Sequence, residues 1–132
     1  DNVHLLLNKT YDLLSLSHAA LVTSGTATLE TALYKVPQVV CYKGGRISYE
    51  IAKRIIKLKY ISLVNLILDK PAVTELIQND FTSKKLKTEL SKILDEYHRA
   101  VLFLDYYDLE VALGGKGASE KTAKLIVSTL TK

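Results

Sequence analysis

The order of apolar runs in this chain predicts an α/β domain: a Rossmann-like parallel sheet flanked by helices, ending in a C-terminal helical tail. Three observations carry the prediction. Ala19 to Thr23 (AALVT) and Pro37 to Tyr42 (PQVVCY) are apolar runs of strand length, and unbroken rather than alternating runs mark strands covered on both faces. Between them, Thr26 to Lys35 carries Leu29 and Leu33 at helical spacing, so strand, helix and strand follow as in a parallel crossover unit. From Ser83 onward the spacing is helical, apart from one glycine-rich turn.

Taken in order, Val3 to Leu7 (VHLLL) reads as a short buried strand. Thr10 can cap a short helix to which Leu13, Leu14 and Leu16 bring apolar contacts. The strand Ala19 to Thr23 stops at Ser24-Gly25, and Pro37 suits the first position of the next strand, which Gly44-Gly45 breaks. Ile47 to Leu58 is amphipathic: Ile47, Ile51, Ile55 and Leu58 form one stripe, with Glu50, Lys53, Arg54 and Lys57 off it. Tyr60 to Leu63 reads as extended, Val64-Asn65-Leu66 as a loop, and Thr74 to Gln78 as one or two helical turns. Ser83 to about Leu104 is helical with room for a break. Gly114 to Gly117 is a turn, and Ser119 can cap a last helix striped by Leu125, Ile126 and Leu130.

With 132 residues the chain can form one domain with a sizeable core. It holds no methionine, even at position 1, and so reads as a segment of a longer polypeptide. Cys41 is the only cysteine, which rules out an intrachain disulfide and fits a reducing, cytoplasmic setting. No apolar run approaches the ~18 residues of a membrane span. Eighteen Lys and Arg against fourteen Asp and Glu favour anionic partners. Zinc-finger spacing, an RNP-like strand and a long basic run are all missing, so nucleic acid is not expected. His4, His18 and His98 stand alone, which argues against a metal site.

Ser24-Gly25-Thr26 holds the chemistry. In an open parallel sheet, ligands bind beyond the carboxyl ends of the strands, where this turn meets a helix start. The first N–H groups of that helix have no intrahelical partner and its dipole is positive there, so small residues let a phosphate approach. The hydroxyls of Ser24, Thr26 and Thr28 add donors, and Glu30 can accept from a ribose diol. Diphosphate at the turn and ribose at the carboxylate describe a nucleotide. The plainer reading is a capped helix whose Glu30 favours the dipole by about 0.3–1 kcal/mol.

Four stretches, "SGTATLETALYKVPQVVCYK", "ISYEIAKRIIKLKYISLVNLI", "TELIQNDFT" and "LGGKGASEKTAKLI", occur in the order found in the lipid-A-disaccharide synthases, which this chain resembles. These are glycosyltransferases of the two-domain GT-B architecture. The resemblance implies that residues 1–132 form the single C-terminal, nucleotide-sugar-binding domain of such an enzyme, with 83–132 as a helical tail. It implies condensation of UDP-2,3-diacylglucosamine with 2,3-diacylglucosamine 1-phosphate, releasing UDP, in a Gram-negative bacterium. It assigns Ser24, Gly25, Thr26 and Ala27 to the diphosphate, beside Thr28, and Glu30 to the ribose. Asn65 and Lys43 become candidate substrate contacts. No cofactor or metal is implied, and the general base is expected in the N-terminal domain. The resemblance also leaves room for peripheral contact with the cytoplasmic face of the inner membrane and for a homo-oligomer. Where the family has proline the chain has Val64, a departure expected to loosen the loop carrying Asn65. Two other readings stand beside this one: another GT-B transferase of UDP-sugars, and a non-catalytic nucleotide-binding or interaction module.

Overall fold

The structure is a computed structural model that describes residues 2–23, 25–45, 59–115 and 117–130. Its centre is a parallel sheet of three strands, β1 (Ala20–Thr23), β2 (Gln38–Tyr42) and β3 (Thr74–Ile77), in that order. The register sets Val22 beside Val40 and Val40 beside Glu75, while Thr23, Cys41 and Leu76 align one step further along. Six α-helices are described: α1 (Thr10–Leu16), α2 (Thr26–Leu33), α3 (Leu63–Leu68), α4 (Ser83–Leu94), α5 (Glu96–Ala112) and α6 (Ala118–Leu130).

Adjacent residues of β2 serve opposite faces, as the two-residue period of a strand requires. Val40 packs with Ala32 of α2, Val64 of α3 and Leu102, Tyr106 and Leu109 of α5. Val39 packs with Leu76 of β3 and Ile93 of α4. Both valines are fully buried, each stabilising the fold by about 1.5–3 kcal/mol. This two-sided cover explains why β2 is apolar without alternation. The α/β architecture and parallel sheet expected from the sequence are present.

Several local expectations are corrected. Val3 to Leu7 forms no strand and is exposed, with Val3 88% and Leu5 85% accessible; apolar composition favours burial, but a strand also needs a ladder partner. Thr10 is the first residue of α1 rather than its cap, and of the three leucines only Leu14 is buried. Residues 64–66 are helical, not a loop: Ser62 caps α3 by accepting from the Asn65 N–H, and the fully buried Val64 packs in the core. The valine therefore sits firmly where a looser loop was expected. Thr74 to Ile77 is strand β3, because four residues carry too little periodicity to separate helix from strand and pairing with β2 decides.

The expected break in the tail falls at Asp95, whose carboxylate accepts from the His98 N–H to start α5. α5 then runs to Ala112, past the expected end near Leu104. Ser119 lies inside α6 rather than ahead of it. The amphipathic stretch Ile47 to Leu58 lies outside the described residues. Among the described residues no helix is long and apolar enough to cross a membrane.

Candidate functional site

The carboxyl ends of β1 and β2 open into a cavity of about 410 Å³, lined by Thr23, Cys41, Tyr42, Lys43 and Phe81 together with Leu21 and Val22. β1 ends at Thr23 and α2 begins at Thr26, so the chain turns within two residues. Ser24 lies outside the described residues. Gly25 occupies φ 138°, ψ −162°, a region open essentially to glycine alone. A Cβ there would meet no atom within 4 Å, so the backbone conformation, not crowding, selects the glycine.

Gly25 is also the N-cap of α2 and has no side chain to satisfy the first N–H groups of the helix. Thr26 and Ala27 are exposed at that end. Thr28 is fully buried, and both its N–H (3.2 Å) and its hydroxyl (2.8 Å) donate to the Gly25 carbonyl. Thr31 donates likewise to the Ala27 carbonyl at 2.7 Å. Thr28 thus holds the turn from inside, while Thr26 and Ala27 form its outer surface. Glu30 is half-buried on the second turn of α2, and the Tyr11 hydroxyl donates to its Oε1 at a long 3.5 Å. Tyr11 stacks on Tyr34 with ring centroids 5.7 Å apart, so α1 and α2 flank the carboxylate together.

A buried chain of hydrogen bonds supports the turn from below. Gln38 Nε2 donates to the Thr28 carbonyl at 2.8 Å and to the Tyr106 hydroxyl at 3.3 Å. Tyr106 in turn donates to the Val36 carbonyl at 3.1 Å. Burial pushes the Tyr106 hydroxyl well above its ordinary range, since no water remains to solvate a phenolate. Gln38 Oε1 is buried with no partner among the described residues.

On the third strand, the Glu75 carboxylate accepts from the Ile61 and Ser62 N–H groups at 3.0 and 2.9 Å. It also accepts from the Ser62 hydroxyl at 2.7 Å and the Asn65 amide at 2.9 Å. Asn65 is 1% exposed; it donates to the Val73 carbonyl at 2.8 Å and accepts from the Val73 N–H at 2.9 Å. Its two amide hydrogens are thus both engaged within the protein. Lys43, directly after β2, is exposed and lines the cavity. Burial raises the neighbouring Cys41 thiol, which favours its neutral form.

The model of the lipid-A-disaccharide synthetase family matches residues 1–127. The chain belongs to this family. A lipid-A-disaccharide synthase of Pseudomonas paraeruginosa is 45% identical over 101 residues, covering 76% of this chain and 27% of that protein. That of Hahella chejuensis is 44% identical over 114 residues, 86% of this chain and 28% of its own length. That of Syntrophus aciditrophicus is 36% identical over 131 residues, 98% of this chain and 34% of its own length. The chain therefore spans about a third or less of the curated relatives it matches.

Within this family member the structure brings Gly25, Thr26, Ala27 and Glu30 together at the head of α2, with Lys43 at the neighbouring strand end. Asn65 and Thr28 are turned into the protein. Sequence reasoning missed Gln38 and the true position of Tyr106. Tyr106 ties α5 to the Val36 to Gln38 segment that leads from α2 into β2, whereas Tyr107 is 63% exposed. A glutamine at the start of a continuous apolar strand was the available signal.

Proposed function

We propose that this chain is the UDP-sugar-binding part of a lipid-A-disaccharide synthase, a hexosyltransferase that joins UDP-2,3-diacylglucosamine to 2,3-diacylglucosamine 1-phosphate and releases UDP. The open, glycine-specific turn ahead of α2, in a chain of this family, carries the reading. The N–H groups of Thr26 and Ala27 and the positive end of the helix hold the diphosphate, with Ser24 beside them. The same groups stabilise negative charge gathering on UDP as it leaves, a stabilisation that grows in the transition state and so accelerates the reaction. Lys43 adds a cation at the adjacent strand end, and Glu30 accepts from the ribose diol. Thr28 and Asn65 act behind the surface, one fixing the turn and the other fixing α3.

The general base that activates the acceptor hydroxyl belongs in this reading to another part of a longer polypeptide. Residues 1–132 form its C-terminal domain, residues 83–132 being the helical tail. The acylated substrates suggest peripheral work at the cytoplasmic face of the inner membrane. Titrating UDP while following backbone amide signals tests the site. Shifts centred on Gly25 to Glu30 and Lys43 are expected, and a folded chain that ignores millimolar UDP would refute it.

A further inference from the structure

Four non-glycine residues adopt positive φ among the described residues: Asn8, Lys35, Asp69 and Gln78. Lys35 and Asp69 follow the last turns of α2 and α3, where left-handed residues end helices. Asn8 is of a type that tolerates the conformation. Gln78, at φ 52°, has neither reason: it leaves a β-strand and starts a 3-10 turn. Backbone strain of this kind persists only where the surroundings fix it, and it gathers at functional positions.

From this backbone the Gln78 side chain reaches the segment that follows β2. Tyr42 pairs with Ile77, so the residues that follow them, Lys43 and Gln78, leave the sheet on neighbouring strands about 5 Å apart. Gln78 Nε2 donates to the Gly44 carbonyl at 3.3 Å, which ties down the Gly44–Gly45 peptide one residue beyond Lys43. Gly44 fits this arrangement because a Cβ there would come within 2.8 Å of the Tyr42 hydroxyl, so the tyrosine ring covers it. Three residues earlier, Glu75 grips Ile61 and Ser62. The tetrapeptide Glu75 to Gln78 therefore secures two separate segments, Ile61-Ser62 and the chain just after Lys43, of which only Lys43 lines the cavity. Glu75 does so from within the sheet and Gln78 from its rim.

We propose that Gln78 is a positioning residue for the nucleotide cleft: its amide latches the Gly44 carbonyl and so holds Lys43 toward the diphosphate. The inference rests on the nucleotide reading above and adds a residue that acts through Lys43 without touching the ligand. Its strain makes the role separable from folding. Gln78→Gly removes the amide but suits the left-handed backbone, so a structural role alone predicts no effect on binding.

The test is UDP affinity by calorimetry in the full chain, with melting temperature measured alongside, for wild type, Gln78→Gly, Lys43→Ala and the double variant. Gln78→Gly should melt no lower than wild type and bind UDP about fivefold more weakly, a loss near 1 kcal/mol on the scale of 1.4 per tenfold. In the Lys43→Ala background the same substitution should change affinity by less than about twofold, because coupled residues are not additive. Wild-type affinity in Gln78→Gly, or an undiminished loss in the double variant, would overturn the latch. A wild type that ignores UDP while Gln78→Gly still displaces the Lys43 and Gly44 amide signals would overturn the nucleotide reading and leave the latch standing.

Discussion

Two polar clusters flank the helix pair α2 and α3, and they treat their hydrogen-bonding groups in opposite ways. Around Glu75 the polar groups are turned inward: Ile61, Ser62 and Asn65 donate to one carboxylate and Asn65 pairs with the Val73 backbone, with Ser62 and Asn65 almost wholly buried. Around Gly25, the first N–H groups of α2 have no capping side chain, Thr26 and Ala27 are exposed, and Glu30 has one long contact. Small polar and acidic residues occupy both places, and motif reading drew candidate contacts from each, Asn65 from one and Gly25 to Glu30 from the other. The difference lies in satisfaction: a polar group already paired inside the protein builds architecture, whereas an open one is available to a ligand.

That contrast can be broken by substitution, beginning with the largest expected effect. Asn65→Ala strips three hydrogen bonds from a buried site and should lower the unfolding free energy by about 3 kcal/mol, with UDP affinity of the folded fraction within twofold of wild type. Denaturant titration and calorimetry read the two quantities, and lost affinity at unchanged stability would make Asn65 a ligand contact instead. Gly25→Ala should cost about 2 kcal/mol of strain and weaken UDP as well, because the proposed diphosphate contacts lie on the same backbone as the turn. An alanine chain with unaltered melting and affinity would show that the turn does not need its glycine.

Tyr106→Phe should cost about 1.5 kcal/mol and also remove a pH dependence. The folded-state value of the Tyr106 hydroxyl is raised above its ordinary 10.0, so above about pH 10 the unfolded chain releases this proton while the folded one keeps it. Stability present below that pH is therefore lost as pH rises toward the folded value. The phenylalanine chain should show a shallower decline, measured by denaturant unfolding between pH 8 and 11, a range set by the ordinary tyrosine value. Smallest is Glu30→Ala, expected to weaken UDP about fivefold, near 1 kcal/mol, with little change in melting. Equal weakening of inorganic pyrophosphate would remove the ribose role.

What could be read beforehand follows the physics of each segment. β2 was visible because cover on both faces leaves an unbroken apolar run. β1 shared the apolar composition, although as an edge strand it buries only Val22 and leaves Leu21 49% exposed. The turn was visible because Ser-Gly-Thr separates the strand from the helix. β3 was not: TELI is too short to show a period, and only its ladder with β2 makes it a strand. α3 escaped because it has six residues and its helicity comes from the Ser62 cap and the burial of Val64 rather than from propensity. Val3 to Leu7 misled in the other direction, since apolar residues alone do not supply a pairing edge. Within the site, the open positions Thr26, Ala27 and Glu30 were legible by type. That Thr28 turns inward depends on helix phase against the core, which no local spacing reveals.

The bond between Tyr106 and Gln38 joins residues 68 apart in the chain, and that between Tyr106 and Val36 joins residues 70 apart. A ribosome adding ~5–20 residues per second makes the Gly25 turn some seconds before it makes the tyrosine that braces it. The nascent domain thus carries the Gly25 turn with Gln38 held only by its bond to the Thr28 carbonyl until α5 has left the exit tunnel. Completion of the support beneath the Gly25 turn is timed by the tail, so chains that terminate early would emerge with the turn intact in sequence and without the Tyr106 bonds that brace it.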